Sequence, residues 1–218
     1  MDAPSADIVF ENDDLWIVDK PPGLVVHPAP GHRGTTLVEQ LGATRGEALA
    51  VHRLDRDTSG LMIVARDPAV RDELQALIRE RAVEREYLAL ASGRLEARTG
   101  TIDAPLGRDA RERTRMAVRE GGRHARTHFE VVEFLERHTY LRARLETGRT
   151  HQIRAHFAAI GHPLAGDTAY RGGQELGLER QFLHSARLRF AYSGSPQPIE
   201  VTSELPEDLS AALAHARA

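Results

Sequence analysis

The chain has 218 residues, no cysteine and a formal net charge of −3. This length suits one domain with a sizeable core, and the lack of cysteine excludes a disulfide framework and a thiolate metal site. No apolar run approaches the ~20 residues that span a bilayer, and the short acidic N-terminus lacks a signal-peptide pattern. These features predict a soluble protein of a reducing cytoplasm.

In chain order, the sequence predicts strands at 15–18 and 24–26, a Pro- and Gly-rich loop at 27–31, a helix at 35–41, a strand at 61–65, a helix at 67–81, a strand at 87–91, a loop-rich stretch at 93–122, strands at 127–135 and 139–146, a helix at 150–161, strands at 186–192 and 199–202, and a last helix from 206.

Caps and apolar spacing define the predicted helices. Asp67 followed by Pro68 is a helix start. The apolar residues at helical spacing behind it are Val70, Leu74, Leu77 and Ile78. Thr150 is expected to cap the third helix and Gly161 to end it. Its predicted apolar stripe is Ile153, Phe157 and Ile160.

The strand pattern predicts the fold class. In 139–146 apolar and charged residues alternate, which is typical of a strand with one wet face, and we expect a hairpin with 127–135. Strands outnumber helices without alternating regularly with them, so we predict an α+β fold with a mainly antiparallel mixed sheet flanked by helices. The charged stretch 93–122 is expected to be exposed and mobile. No linker divides the chain, which predicts a single domain over 1–218.

The charge of the chain is unevenly distributed. Residues 105–156 contain twelve arginines against seven acidic residues, so this segment carries +5 and the remainder −8. The local field, more than the net charge, steers charged ligands. The segment therefore predicts a face for a polyanion.

A charge-dense loop, His52–Gly60, runs directly into the apolar strand predicted at 61–65. Such a loop is typical of a functional site, because the strand fixes what the loop presents. Asp55 is flanked by Arg53 and Arg56, and a cationic neighbour favours an ionised carboxylate. That carboxylate can act as a nucleophile or stabilise a sugar cation. Its structural alternative is a turn aspartate that binds local backbone donors.

Other polar residues have plain structural interpretations when each is taken alone. Tyr87 is then a half-buried strand aromatic, and Arg154 a surface arginine with its stem on the core and its head in water. His156 follows His151 by five positions and His162 follows His156 by six, so no two of these imidazoles lie one helical turn apart as in a zinc helix. We therefore expect hydrogen-bonding histidines and no metal site.

The loop His52–Gly60 resembles the signature of the RluA family of pseudouridine synthases, which isomerise uridine within ribosomal or transfer RNA. Four further stretches match the family in the same order: Asp19–Leu24, Arg85–Leu90, Thr147–His156 and Gly161–Asp167. The likeness runs from about residue 8 to about 205, and it implies the pseudouridine synthase fold with a central RNA-binding cleft. Many relatives carry an N-terminal RNA-binding domain of the S4 type, which we do not expect here.

The resemblance also implies roles for single residues. Asp55 matches the essential catalytic aspartate, Tyr87 the tyrosine that stacks on the target base, and Arg154 the arginine paired with that aspartate. Arg53 matches the arginine that fills the gap left by a flipped nucleotide, and Leu183 an apolar residue of the uracil pocket. The substrate-binding residues implied in this way are Arg53, Leu183, Arg149 and His151.

The implied function is isomerisation of specific uridines in large-subunit ribosomal RNA, transfer RNA or both, without a metal or organic cofactor. We expect a cytoplasmic monomer with RNA as its partner and no obligate protein partner. Two alternatives stay open. One is an RNA-binding or ribosome-assembly module that does not depend on turnover. The other is a glycosidase-like or nucleoside hydrolase, for which Asp55 has no obvious acid partner in the matched motifs.

Overall fold

The computed structural model describes residues 4–28, 33–174 and 176–218. In chain order its elements are β1 (Asp7–Glu11), β2 (Leu15–Lys20), α1 (Leu37–Arg45), β3 (Leu49–Ala50), β4 (Ser59–Ala65), α2 (Pro68–Arg79), β5 (Glu84–Ser92), β6 (Thr99–Asp103), β7 (Leu106–Arg108), β8 (Met116–Val118), β9 (Arg126–Phe134), β10 (His138–Leu145), α3 (Gln152–Ala159), a 3-10 turn (Thr168–Tyr170), β11 (Leu183–Phe190), β12 (Ile199–Thr202) and α4 (Glu207–Arg217). None of the helices in these described ranges is long and apolar enough to cross a membrane.

The chain forms two compact units. The first unit comprises the described residues up to Arg85 together with 185–203, and the second comprises 86–184 and 204–218. The chain therefore passes from the first unit to the second within β5 and returns within β11.

The first unit is built on strands in the order β1, β2, β4 and β11, with β3 paired to β4 and β12 to β11. The pairs β1–β2, β2–β4 and β11–β12 are antiparallel. Every residue of β4 is buried, and α2 packs on this core through the predicted stripe. Leu74 of that stripe is fully buried, and its other three residues are partly buried against the same cluster. Asp67 caps α2 as predicted, because its Oδ1 accepts from the Ala69 backbone N–H at 2.7 Å.

The second unit contains the strand order β5, β10, β9 and β6, with β7 and β8 as a separate antiparallel hairpin. The predicted hairpin is confirmed as β9–β10, which pair antiparallel from Thr127 opposite Leu145 to Phe134 opposite Thr139. In β10 Leu141 and Ala143 are buried, Leu145 is partly buried and the two arginines are exposed, in agreement with the predicted alternation. Leu209, Ala212 and Leu213 of α4 pack on a core that includes Phe182. The α+β, mainly antiparallel fold class is thus confirmed.

The predicted strand at 24–26 is wrong, because its carbonyl groups are used elsewhere. The backbone N–H groups of Leu37 and Val38, in the first turn of α1, donate to the carbonyls of Val25 and Val26 at 2.9 and 3.3 Å. The first-turn N–H groups of a helix have no partner within it, so this segment caps α1 instead of joining the sheet. Strand β1 was not predicted. Of the loop predicted at 27–31, residues 29–31 lie outside the described residues.

The predicted start of the third helix is also wrong. Thr150 does not cap it; α3 begins at Gln152, after His151 in a left-handed conformation with φ 54°. The predicted stripe is confirmed for Ile153 and Phe157, which are buried, whereas Ile160 is 42% exposed. Gly161, with φ 84°, follows the helix end as expected.

The stretch 93–122 was predicted as loop, but it contains three strands. Strand β6 pairs with β9, whose sequence lies more than twenty residues further on, and β7 pairs with β8. These pairings are not visible in a local sequence pattern. The predicted exposure is confirmed at the hairpin tip, where Arg111 and Arg113 are exposed, while Leu106 is only 1% exposed.

Candidate functional site

In the first unit, the loop that carries Asp55 is anchored by a buried lysine. Lys20 ends β2 and is fully buried. Its Nζ donates to the carbonyls of Pro21 at 2.8 Å, Leu24 at 3.0 Å and Arg56 at 2.8 Å. A buried ammonium needs such compensation, because burial without it is costly. One charge thus ties the 19–24 motif to the Asp55 loop.

Short backbone contacts hold the rest of this loop. The Thr58 N–H donates to the Asp55 carbonyl at 3.1 Å, and the Gly23 N–H donates to the Arg56 carbonyl at 2.9 Å. Arg56 pairs with its neighbour Asp57 through two contacts of 3.0 Å. The loop therefore holds a partly exposed Asp55 on a fixed backbone.

The two ends of the loop are fixed by a histidine and a glycine. The Nε2 atom of His52 accepts from the Ile63 backbone N–H at 3.2 Å. Burial and the nearby charge of Arg85 lower the pKa of His52 to about 3, so its ring is neutral at pH 7. Gly60 has φ 106°, and a Cβ at this position would lie 2.7 Å from the Ser185 backbone nitrogen. Only glycine suits this conformation and this close approach.

Arg53 is the other predicted site residue of the first unit. It is exposed and lies in the same loop as Asp55. Burial of the His27 ring, together with the charge of Arg53, lowers the pKa of His27. The structure thus presents a carboxylate and a guanidinium on one anchored loop.

In the second unit, Arg154 lies in α3 and is buried, 8% exposed. Its Nε and Nη2 atoms donate to the two carboxylate oxygens of Asp167 at 2.6 and 2.8 Å. The guanidinium also lies over the ring of Tyr170, 5.1 Å from its centroid. The surface position that local pattern predicted for Arg154 is therefore wrong. Asp167 and Tyr170 both contribute to compensating this buried charge.

His151 and Arg149 lie just before α3. His151 Nδ1 is 3.1 Å from the Tyr170 hydroxyl. Arg149 donates from Nε to the His124 carbonyl at 3.0 Å, and burial together with the charge of Arg123 lowers its pKa. An arginine beside a second arginine favours an anionic ligand, because such a ligand relieves their mutual repulsion.

The turn that carries these two residues is fixed by Gln152. Its Oε1 accepts from Thr147 Oγ1 at 2.7 Å and from the Arg149 N–H at 3.0 Å. Its Nε2 donates to the Arg126 carbonyl and to Thr127 Oγ1, both at 3.0 Å. A buried side chain with four such bonds determines the path of the backbone.

Tyr87 and Leu183 are buried positions of the second unit, each 4% exposed. Tyr87 lies in β5 opposite Ala143 of β10. It is more buried than the half-buried aromatic that its local pattern predicted. Leu183 begins β11, and its N–H donates to the Gln181 carbonyl at 2.8 Å.

The predicted hydrogen-bonding role is confirmed for the buried His156. Its Nδ1 lies 2.9 Å from Thr127 Oγ1, and its Nε2 lies 3.0 Å from the Ala104 carbonyl oxygen. Burial lowers its pKa. In the described part of the chain, no three His, Asp or Glu side chains cluster in a way that could hold a metal ion.

The predicted site residues fall into two groups. Asp55 and Arg53 share the anchored loop of the first unit, whereas the region around α3 in the second unit joins His151 to Arg154 through Tyr170. Sequence reasoning assigned no role to Lys20, Asp167, Tyr170 or Gln152. Lys20 is the only lysine of the chain, and Asp167 ends a matched motif, but neither signal shows the contacts that these side chains make.

Comparison with known proteins assigns the chain to a family. Residues 14–159 match the model of the RNA pseudouridylate synthase family. The chain is 44% identical to ribosomal large subunit pseudouridine synthase D of Nitrosomonas europaea, covering 94% of the chain and 64% of that protein. It is 41% identical to the uncharacterized RNA pseudouridine synthase YlyB of Bacillus subtilis, covering 94% of the chain and 70% of that protein. The chain thus spans about two thirds of the length of these curated relatives.

Solved structures agree with this assignment. The human RNA pseudouridylate synthase domain containing 1 is 29% identical with a TM-score of 0.78, over 97% of this chain and 90% of that one. The human RNA pseudouridylate synthase domain containing 4 gives the same TM-score of 0.78 at 22% identity, over 97% and 93% of the two chains, which supports the fold alone. With the family match, the relatives and the shared fold, the chain belongs to the RNA pseudouridylate synthase family.

Proposed function

We propose that this protein isomerises specific uridines in RNA to pseudouridine, with Asp55 as the catalytic carboxylate. The observation that carries the proposal is the anchored loop of the first unit. There the buried Lys20 ammonium binds three backbone carbonyls, one of them in the residue that follows Asp55. A catalytic group must be held in a productive geometry, and family membership supports the same residue.

The chemistry suits a carboxylate. Isomerisation breaks the N1–C1′ bond of uridine and joins C5 of the same uracil to C1′, so the atoms balance without net redox change or hydrolysis. Asp55 would trap or stabilise positive charge at C1′, or remove a sugar proton. We assign Arg154 to act with Asp55 in this step, since a guanidinium favours the ionised form of a carboxylate.

The target uridine must leave its stack before its glycosidic bond can be reached, at a cost of about a few kcal/mol. We propose that Tyr87 stacks on the extruded base and that Arg53 fills the gap it leaves. Leu183 would line the pocket for the uracil, and Arg149 and His151 would contact the RNA around it. These roles follow from the motifs that carry the residues.

We propose large-subunit ribosomal RNA as the substrate and keep transfer RNA as the second candidate. The relative from Nitrosomonas europaea is named for the ribosomal large subunit, and a basic surface suits either RNA. In the arginine-rich segment, Arg115 and Arg126 pair with nearby carboxylates. Arg111, Arg113 and Arg123 are exposed, and within the described residues no carboxylate pairs with them. We assign these three arginines to phosphate contacts, which hold the RNA without reading its sequence.

The test is to incubate the purified protein with unmodified total RNA and to map pseudouridine by carbodiimide labelling and primer extension. Asp55→Ala is compared with wild type and with Asp57→Asn, a matched control two residues further along the same loop. We expect new stops at one or a few uridines for wild type and for the control, and none for Asp55→Ala. RNA affinity of Asp55→Ala should stay within a few-fold of wild type.

Other outcomes would contradict the proposal. An active Asp55→Ala variant would rule out the assigned mechanism. Release of free uracil would indicate a hydrolase. If folded wild type gave no stops on either RNA and Asp55→Asn kept its full biological effect, the RNA-binding or ribosome-assembly alternative would replace it.

A further inference from the structure

Arg154 is held in a buried ion pair that the proposed reaction does not by itself explain. Its side chain is 9% exposed and that of its partner Asp167 only 1%. The two bonds leave from Nε and Nη2 on one edge of the guanidinium. Such a forked pair fixes the plane and the direction of an arginine as well as its charge.

Burying an ion pair costs more desolvation energy than burying an apolar pair of similar size. Buried ion pairs therefore often add little stability. A pair of this kind therefore points to a requirement for orientation. The carboxylate of Asp167 also compensates the positive charge of the buried Arg154 locally.

A second residue of the same turn holds Arg154 from another side. Tyr170 follows Asp167 by three residues, in the 3-10 turn Thr168–Tyr170, and its N–H donates to the Asp167 carbonyl at 3.0 Å. The ring face lies 5.1 Å from the centre of the Arg154 guanidinium, a cation–π distance. A single turn therefore supplies an anionic edge and an aromatic face to the same guanidinium.

The hydroxyl of Tyr170 connects this turn to its surroundings. It accepts from the Met116 N–H at 3.0 Å and lies 2.9 Å from the Met116 carbonyl oxygen, in β8. It also lies 3.1 Å from His151 Nδ1, with the two rings edge to face at 80°. The turn is thus held by the hairpin, and the same hydroxyl contacts His151.

We propose that Asp167 and Tyr170 are positioning residues for Arg154, and that they hold its guanidinium in the one orientation in which it acts on the reaction. This inference rests on the proposed function, because it assigns Arg154 to the chemical step. Neither residue needs to touch the RNA. Their loss should slow turnover while RNA binding persists.

The test uses single-turnover kinetics on the RNA identified above, with the full chain. Asp167→Asn keeps the size of the side chain and removes its charge. We expect the rate constant at saturating protein to fall about tenfold or more, since small misplacements of catalytic groups have effects of this order. The protein concentration at half-maximal rate should change less than threefold.

The matched control is Asp208→Asn. In the same unit, Arg180 donates to both carboxylate oxygens of Asp208 at 2.6 and 2.9 Å, with the same two nitrogens as in the Arg154 pair. The Arg180 side chain is 7% exposed and that of Asp208 is 46% exposed. Asp208→Asn likewise removes a charged partner from a buried arginine, but we expect turnover within twofold of wild type. An equal rate loss in both variants would mean that destabilisation, not orientation, is responsible, and would overturn the inference.

Tyr170 gives a second comparison if Asp167→Asn folds poorly. Tyr170→Phe keeps the ring over Arg154 and removes only the hydroxyl, whereas Tyr170→Leu removes the ring. We expect the Leu variant to lose at least about tenfold in rate and the Phe variant less than about threefold. Equal rates for both would overturn the role of the ring.

A readout independent of turnover separates this inference from the proposed function. In NMR spectra with 15N-labelled arginine, the Nε–H signal of Arg154, assigned by its loss in Arg154→Lys, should exchange slowly in wild type and rapidly in Asp167→Asn. Rapid exchange in wild type would overturn the positioning role even in an active enzyme. Slow exchange in an inactive wild type would instead count against the proposed function. It would also contradict the role of Arg154 in the chemical step.

Discussion

Replacing Lys20 by methionine tests whether one buried charge holds the Asp55 loop. Methionine is also unbranched and flexible and fills a similar space, so the change removes the ammonium with little loss of packing. In wild type, Nζ donates to three carbonyls, those of Pro21, Leu24 and Arg56. The variant removes this donor from all three carbonyls, and the Arg56 carbonyl keeps its bond from the Gly23 N–H.

The expected loss of stability follows from these bonds. A hydrogen bond from a charged donor contributes about 1.5–3 kcal/mol, and a buried acceptor left unsatisfied costs about 1–3 kcal/mol. Methionine also removes the cost of burying the ammonium, so the loss of stability is smaller than the sum of the three hydrogen-bond contributions. We therefore expect Lys20→Met to lower the free energy of unfolding by about 3–5 kcal/mol. That is a large fraction of the ~5–15 kcal/mol typical of a folded protein.

Urea unfolding at neutral pH measures this loss through Trp16. It is the only tryptophan of the chain, it is fully buried, and it lies in β2 four residues before Lys20. Its fluorescence therefore reports on the unfolding of the first unit. Equal slopes of unfolding free energy against urea concentration in wild type and Lys20→Met would show that their unfolding transitions are comparable. The matched control is Arg56→Ala. The Arg56 side chain is 66% exposed and pairs with its neighbour Asp57, so we expect this variant to cost less than about 1 kcal/mol. A loss below about 1 kcal/mol for Lys20→Met would refute the anchoring role.

Three further predictions concern pH, backbone strain and RNA binding. The pKa of His52 in the folded state, about 3, lies below its ordinary value of 6.5, so the unfolded chain binds more protons between these values and stability falls as pH falls through that window. Between pH 7 and 5 this effect lowers the free energy of unfolding by about 2 kcal/mol. In urea unfolding, the loss of stability of His52→Gln between pH 7 and 5 should be smaller than that of wild type by this amount. The same pH dependence in both proteins would contradict a lowered pKa for His52. Gly60→Ala places an alanine in a left-handed conformation, where its Cβ clashes with the β11 backbone, and should lower the free energy of unfolding by more than about 2 kcal/mol. The control Gly42→Ala, in α1, where a Cβ meets nothing within 4 Å, should raise it by about 0.5–1 kcal/mol. Similar thermal midpoints for the two variants would show that Gly60 is not constrained. Arg113→Gln should reduce the slope of log affinity for RNA against log salt by about 1, and Arg71→Gln, outside the arginine-rich segment, should leave it unchanged; equal slopes for both would remove Arg113 from the RNA-binding surface.

Local sequence pattern predicted the structure correctly in places where the partners of a residue lie nearby in sequence. The cap at Asp67 acts within one turn of α2, and the alternation in 139–146 reports directly which face of β10 is buried, because strand side chains point to opposite faces in turn. The order of the five matched motifs likewise indicated the family without any coordinates. These features require only neighbouring residues or the linear order of the chain.

Local pattern failed where a residue is satisfied by a distant partner. Residues 24–26 have strand-like side chains, but α1 and Lys20 take up their carbonyls. Strand β6 lies in a charged stretch and is a strand only because β9 pairs with it. Hydrogen bonds between segments far apart in sequence leave no periodic signal in either segment.

The sequence by itself determined the fold class, the helix and strand periodicity, the basic segment and the motif that contains Asp55. Only the tertiary structure decided what the charged side chains do. Lys20 became an anchor, and Arg154 became a buried arginine oriented by Asp167 and Tyr170, instead of the surface arginine that its helix pattern indicated. The physical reason is that burial makes a charge depend on the groups that compensate it, and those groups come from distant segments that only folding brings together.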